Sequence, residues 1–320
     1  MKIFFPPAIR VMILLALGVQ LLVTSAAAEE GDPLLPPGGA RRVVLFEAYE
    51  LAAALNAWDR VVGISRYALD NDFMHRLVPQ LRDLPTPGSG FDANVEALHA
   101  LKPDLVVTWS RKPEGLEFLR RQGFPVLSIY PETLEELRRD LLRLGAALGR
   151  EERAREVAAL MDRHFEAIRQ RVAPLAARKA PRAVWVWSKP TQISGRRGVV
   201  ADLMRLSGGR NLGEDLDCLN QEVSMETLTA LDPEVVLIWG SASYSPQDLL
   251  SDPKWQTTQA VKNRRIYKPS RASTWSPRVV ALAWWLAGCF YPEDISEAEV
   301  FEASHRFYRE CFGIPFEEGR

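Results

Sequence analysis

This 320-residue chain has only four histidines and three cysteines. His75, His99, His164 and His305 lie in different segments, and no HExxH metal motif or CxxC redox pair occurs. An odd number of cysteines leaves at least one of Cys218, Cys289 and Cys311 unpaired or engaged elsewhere. An oxidising compartment permits a Cys289–Cys311 bridge, which sequence alone does not establish. A G-x-S-x-G elbow is also absent, and no carboxylate pair stands out from the many present. The sequence therefore predicts no catalytic set, no metal ligands and no cofactor, which favours capture of a molecule over its conversion. Charge of one sign is lacking too. The 40 basic and 41 acidic side chains nearly cancel, with no basic tail, which argues against a nucleic-acid partner. Beyond the amino terminus no apolar run is long enough to span a membrane.

What is present begins with an export signal. Lys2 and Arg10 precede an apolar run from Val11 to Val23, and Ala26-Ala27-Ala28 supplies a cleavage site before Glu29. Residues 1–28 are expected to be removed. No cysteine follows for lipid attachment, so a soluble protein held in a Gram-negative periplasm is expected. Residues 29–40, rich in proline and glycine, read as a flexible leader.

The most informative feature is an internal repeat. Residues 95–109, VEALHALKPDLVVTW, match residues 225–239, METLTALDPEVVLIW, at seven of fifteen positions and a constant offset of 130. A shared helix, proline stop and strand imply two similar lobes, and two lobes imply a cleft. Strands and helices alternate through both halves, predicting an α/β fold with central parallel sheets. The organisation expected is an amino-terminal lobe over 41–150, a connecting helix over 151–178, and a carboxyl-terminal lobe with a terminal helix over 179–316. The segment after residue 150 shows helical spacing of apolar residues, and no proline interrupts it before Pro174.

Ligands of open α/β sheets meet the loops at the carboxyl ends of the strands. Here those loops follow Tyr49, Ser65, Trp109, Tyr130, Trp187 and Trp239. Trp109 and Trp239 either wall the cleft or cap their own lobe's core, and Trp109 is followed by the polar Ser110 and Arg111. Arg66 and Tyr67 offer a cation and an aromatic wall, or a solvated arginine beside a packed ring. Arg196 and Arg197, between Gly195 and Gly198, combine exposed amides with two guanidinium groups that can hold an oxyanion or carboxylates. The alternative is a charged surface turn. In the segment STWSPR, Trp275 can stack on a ligand, while Arg278 either reaches a ligand or holds the lobes together.

The sequence resembles the ABC-importer solute-binding proteins for iron–siderophore, haem, cobalamin and related chelates, a family with molybdate- and tungstate-binding relatives. GFDANVEALHALKPDLVVTW at 90–109, SMETLTALDPEVVLIW at 224–239, DRVVGIS at 59–65, KNRRIYKPS at 262–270, WSPR and YPED carry the resemblance, which spans roughly residues 41–316. It implies two Rossmann-like lobes joined by one long helix, a monomer that holds its ligand between them, and delivery to a permease dimer driven by cytoplasmic ATPases. It further implies one acidic docking residue on each lobe. Glu114 matches the first-lobe pattern and Glu226 is the candidate on the second. The aromatic set favours a metal chelate, the paired arginines leave a bare oxyanion open, and an extracytoplasmic chelatase-like enzyme is the reading from a different class.

Overall fold

Apolar residues fill both faces of the first strands. In β1, Val43–Leu45, the side chains of Val43 and Leu45 enter one buried cluster and Val44 enters another. The same alternation recurs in β3, Leu105–Thr108, where Leu105 and Val107 oppose Val106. A strand whose successive side chains are all buried needs helices on both faces, and a parallel sheet provides that arrangement. The computed structural model describes residues 32–90, 92–109, 113–271 and 273–317. With β2, Val61–Ile64, and β4, Val126–Ser128, the first sheet runs β2-β1-β3-β4, every pair parallel.

The second sheet is built on β5, Arg182–Val186, beside β9, Val235–Ile238, and β10, Ile266–Tyr267, all parallel. On the other side of β5 lie the short parallel β7, Arg210–Asn211, and the antiparallel β6, Gln192–Ser194, which pairs with β8, Asn220–Glu222. The hairpin-like β6–β8 addition was not legible in the sequence, because its residues are short and largely polar.

The repeat is reproduced to the residue. Helix Val95–Leu101 and strand β3 correspond to helix Met225–Leu231 and strand β9, each boundary shifted by 130. Asn94 and Ser224 cap the two helices by accepting the Ala97 and Thr227 amides. Lys102 and Asp232 both turn into left-handed conformation, with φ 47° and 42°. The correspondence extends past the repeated sequence. Arg42, just before β1, and Arg182, which opens β5, each bond the last carbonyl of the repeated helix, Leu101 or Leu231. The acids Asp104 and Glu234 accept the Arg42 and Arg182 amides in return.

Helix Glu151–Arg178 joins the sheets, and its 28 residues span about 40 Å. It continues through Pro174, which removes one interior hydrogen bond without ending the helix. Leu160, Met161, Phe165 and Ile168 lie in one cluster with Val43 and Leu45 of the first sheet and Ala183, Trp185 and Leu237 of the second. The inner faces of both sheets thus share a core. Helix Val279–Phe290 and the terminal helix Glu297–Phe312 complete it. The terminal helix also reaches the first lobe, where Phe73 packs edge-on against Phe312 at 4.9 Å, and the connecting helix, from which Arg153 donates to the Cys311 carbonyl at 2.7 Å.

Local boundaries depart from the sequence reading where the backbone turns left-handed. Tyr49, read above as a strand end, lies beyond β1, which stops at Leu45; Ala48 adopts φ 63° and Tyr49 opens a helix, Tyr49–Ala54. That helix ends at Ala54, and Asn56 just beyond it has φ 53°. The leader touches the first lobe at Asp32, whose carboxylate receives Arg143 at 3.1 Å, and at the buried Gly39 and Ala40, while Leu34 stands exposed between them. The export signal lies outside the described residues. All three cysteines are free, and burial pushes the Cys289 and Cys311 thiols well above their ordinary range.

Candidate ligand cleft

The carboxyl ends of the parallel strands converge on a cleft of about 1430 Å³ between the lobes. Tyr49 and Glu50 reach it after β1, Tyr67 after β2, and Tyr130 and Glu132 after β4. From the other lobe come Trp187 after β5, Trp239 after β9, and the loop after β10 that carries Arg271 and Trp275.

Two aromatic groups wall this space. Trp275 of the second lobe meets Tyr130 of the first edge-on at 4.9 Å, and Trp109 stacks behind Tyr130 at 5.8 Å. Trp109 therefore backs the wall without lining it. In the second group Trp187 and Trp239 lie 5.7 Å apart, and the Trp187 indole N–H donates to the Ser194 hydroxyl at 2.8 Å. Tyr244 also donates its hydroxyl to the Trp187 carbonyl at 2.6 Å. With its N–H and carbonyl engaged, Trp187 is held in place and presents ring surface to the cleft.

Ion pairs cross between the lobes at two levels. Near the surface Arg197 meets Glu132 at 2.5 Å, with their side chains 52% and 28% exposed. Deeper, Arg278 meets Glu50 at 3.2 Å, with only 9% and 3% exposed. Tyr308 accepts from the Arg278 guanidinium at 2.8 Å, which also lies 4.2 Å from the Phe73 ring centre. Burial opposes the Arg278 charge, but Glu50 and Tyr308 outweigh it and hold the group above its ordinary value. Glu50 Oε1 also accepts from Asn71 at 2.7 Å, while Oε2 is buried with no hydrogen-bond partner.

The glycine-flanked arginines are arranged differently from the sequence expectation. A Cβ on Gly195 would stand 2.3 Å from the Cys218 carbonyl oxygen, and Gly198 has φ 103°, so both positions require glycine. That close packing engages the backbone: the amides of Gly195, Arg196 and Arg197 donate to Leu219, Leu216 and Cys218. Arg196 pairs with Asp217 at 3.0 Å and does not line the cleft, whereas Arg197 does. Arg66 likewise stands outside, paired with Asp92 at 2.6 Å and lying over the Tyr67 ring.

Of the residues singled out in the sequence, Tyr49, Tyr67, Trp187, Arg197, Trp239, Trp275 and Arg278 meet at the cleft. Ser110 and Arg111 lie outside the described residues. Tyr130, Glu132 and Arg271 were missed as individual contacts. For Tyr130 the signal was its place at a strand end, but no local pattern marked the other two. Glu114 and Glu226 stand exposed in the first turns of their helices. Glu226 is held below the usual carboxylate range by its own backbone amide and by Ser224. Among the described residues no group of three or more His, Cys, Asp or Glu side chains could hold a metal ion, and no helix is long and apolar enough to cross a membrane.

Just after β1, Glu47 has a carboxyl group pushed up to about 7. Burial is the main cause, the Ala48 amide partly offsets it, and neighbouring Glu50 adds to it. Folding therefore favours its protonated form. The stability this group contributes is fully present below the ordinary carboxylate value of 4.5 and is lost as pH rises from there through about 7. The expected loss across this window is ~2 kcal/mol, less than full linkage because the residue is only partly buried. Denaturant titrations at pH 5 and pH 8 should show the difference in wild type and a much smaller one in Glu47→Gln. An equal stability difference between pH 5 and pH 8 in both proteins would rule out Glu47 as its source.

Comparison with known proteins gives a consistent picture. A family model described as periplasmic binding protein matches residues 43–270. A vitamin B12-binding protein of Yersinia pestis (strain Pestoides F) is 26% identical over 215 residues, 65% of this chain and 73% of the relative. The structure of Helicobacter pylori CeuE with Ni(II) bound aligns with a TM-score of 0.78 at 26% identity, covering 88% of this chain and 93% of that one. Haemophilus influenzae MolA bound to molybdate aligns at 0.76 over 90% and 97% of the two chains; its 20% identity speaks for the fold alone.

Proposed function

We propose that this chain, which belongs to the periplasmic binding protein family, captures a metal chelate in the periplasm and delivers it to the permease of an ABC importer. The observation that carries this reading is the cleft itself: about 1430 Å³, walled by Tyr130, Trp187, Trp239 and Trp275. Clefts for drug-sized ligands hold ~300–1,000 Å³, so this space suits a chelate and far exceeds a tetrahedral oxyanion. The related proteins described as binding vitamin B12 and Ni(II) support a metal-containing cargo. The oxyanion reading is weakened because the Gly195–Arg197 amides it needs already donate to backbone carbonyls. The cleft offers a place to hold a molecule, and the reading assigns it no turnover. Product formation by the purified protein would favour the chelatase-like alternative.

The test is a tryptophan-fluorescence titration with ferric siderophores, haem, cyanocobalamin, molybdate and tungstate. One chelate should quench the cleft tryptophans, and Trp187→Ala or Trp239→Ala should weaken its binding ~30-fold, the loss of about 2 kcal/mol typical of a central aromatic contact. Tight binding of molybdate or tungstate alone would overturn the chelate reading.

A further inference from the structure

Apart from Arg76 on the first lobe and Glu317 on the terminal segment, which pair with each other, the charges lining the cleft are sorted by lobe. The first lobe supplies Glu50, Asp70, Asp72 and Glu132, and the second supplies Arg197, Lys268, Arg271 and Arg278. Two of these acids are paired across the gap with two of these bases, Glu132 with Arg197 and Glu50 with Arg278. A third pair joins Arg76 of the first lobe to Glu317 at 3.0 Å. Lys268 donates to the carbonyls of Ala242 and Tyr244, which satisfy two of its three hydrogens without neutralising it. After these pairings Asp70 and Asp72 remain on one wall and Arg271 on the other. All three are exposed, and their side chains have no hydrogen-bond or ion-pair partner among the described residues.

Asp72 opens helix Asp72–Leu77, where a carboxylate complements the helix dipole, but neither it nor Asp70 is held by a side-chain partner among the described residues. Asn71, between them, caps helix Asp72–Leu77 by accepting the Met74 amide. Neither aspartate carboxylate makes a capping bond. The same wall carries the unpartnered, buried Glu50 Oε2. A uniformly anionic ligand would meet repulsion from this wall, and a uniformly cationic one would meet it at Arg271 and Lys268.

We propose that the cleft selects a dipolar chelate. A cationic or strongly donating group faces Asp70 and Asp72, and a carboxylate or similar anion faces Arg271. This inference rests on the capture reading and specifies its cargo. Three exposed charged residues with no side-chain partner among the described residues become the discriminating contacts.

The experiment uses the mature protein and four linear trihydroxamate ferric chelates with a common metal centre. One carries a terminal ammonium and a terminal carboxylate, one only the ammonium, one only the carboxylate, and one has both ends capped as neutral amides. Isothermal titration should show the dipolar form binding at least 10-fold more tightly than each of the others. In Asp70→Asn/Asp72→Asn the advantage conferred by the ammonium should vanish, and in Arg271→Gln that conferred by the carboxylate. Equal affinity for all four, or tightest binding of the capped or singly charged forms, overturns the dipolar assignment. So does an unchanged preference in both variants. If none of the four binds but haem, a ferric catecholate or cyanocobalamin does, capture stands and the dipolar inference falls. If none of these molecules binds, both fall.

Discussion

Arg278→Met should lower the stability of the protein by about 3–5 kcal/mol, because it strands the Glu50 carboxylate in a nearly dry site. For a chain of this size that corresponds to a drop in Tm of roughly 10 °C. The loss comes less from a missing attraction than from leaving a buried charge whose remaining polar contact is Asn71. The double variant Glu50→Met/Arg278→Met should therefore recover most of it, since removal of both partners leaves no uncompensated ion. Thermal denaturation of the single and double variants gives the coupling directly. A loss below ~1 kcal/mol in Arg278→Met would mean that the pair is solvated and does not join the lobes.

The second large effect concerns delivery. We propose that exposed acids on the two lobes dock the protein to a permease; reversing them should reduce uptake to background while ligand affinity stays within about twofold, since these carboxylates stand away from the cleft. The repeat sharpens which acids to reverse. Glu226 occupies the second position of its helix, and its counterpart at offset 130 is Glu96, at the same position and equally exposed. A permease built from two like subunits offers two like surfaces, which equivalent positions on two lobes can meet together. Glu96→Lys/Glu226→Lys should therefore abolish transport, with Glu114→Lys measured beside it. Loss of transport in Glu114→Lys but not in Glu96→Lys would assign the first-lobe contact to Glu114. Normal transport in all three variants would remove acidic docking altogether.

The two-lobed scaffold was readable in the sequence because its signals are local and repeated. Helix Val95–Leu101, the proline stop and strand β3 announce themselves through spacing, and the second copy confirms the pattern. The cleft aromatics were readable for a related reason: strand ends are predictable, and so are the residues that follow them. Pairings were not readable. Arg278 and Glu50 are 228 positions apart, and Arg197 and Glu132 are 65 apart. Nothing near either arginine tells which carboxylate it will meet. The same limit hid the task of the Gly195–Arg197 amides, which depends on how closely the segment 216–219 approaches. Arg271 was passed over because an isolated arginine in a loop carries no pattern; its significance arises only after the other cleft charges have found partners.

The core shared by both sheets bears on the thermodynamics of filling the cleft. Leu45 and Leu237 belong to the same buried cluster, so wide separation of the lobes would expose apolar surface around the connecting and terminal helices. The molecule can flex but has little freedom to swing open. A receptor so nearly assembled before its cargo arrives surrenders little conformational entropy on capture, and most of the contact energy remains available for affinity. Discrimination among ligands then rests on which chemistry fits a preformed wall, and only weakly on which one can drive the lobes together.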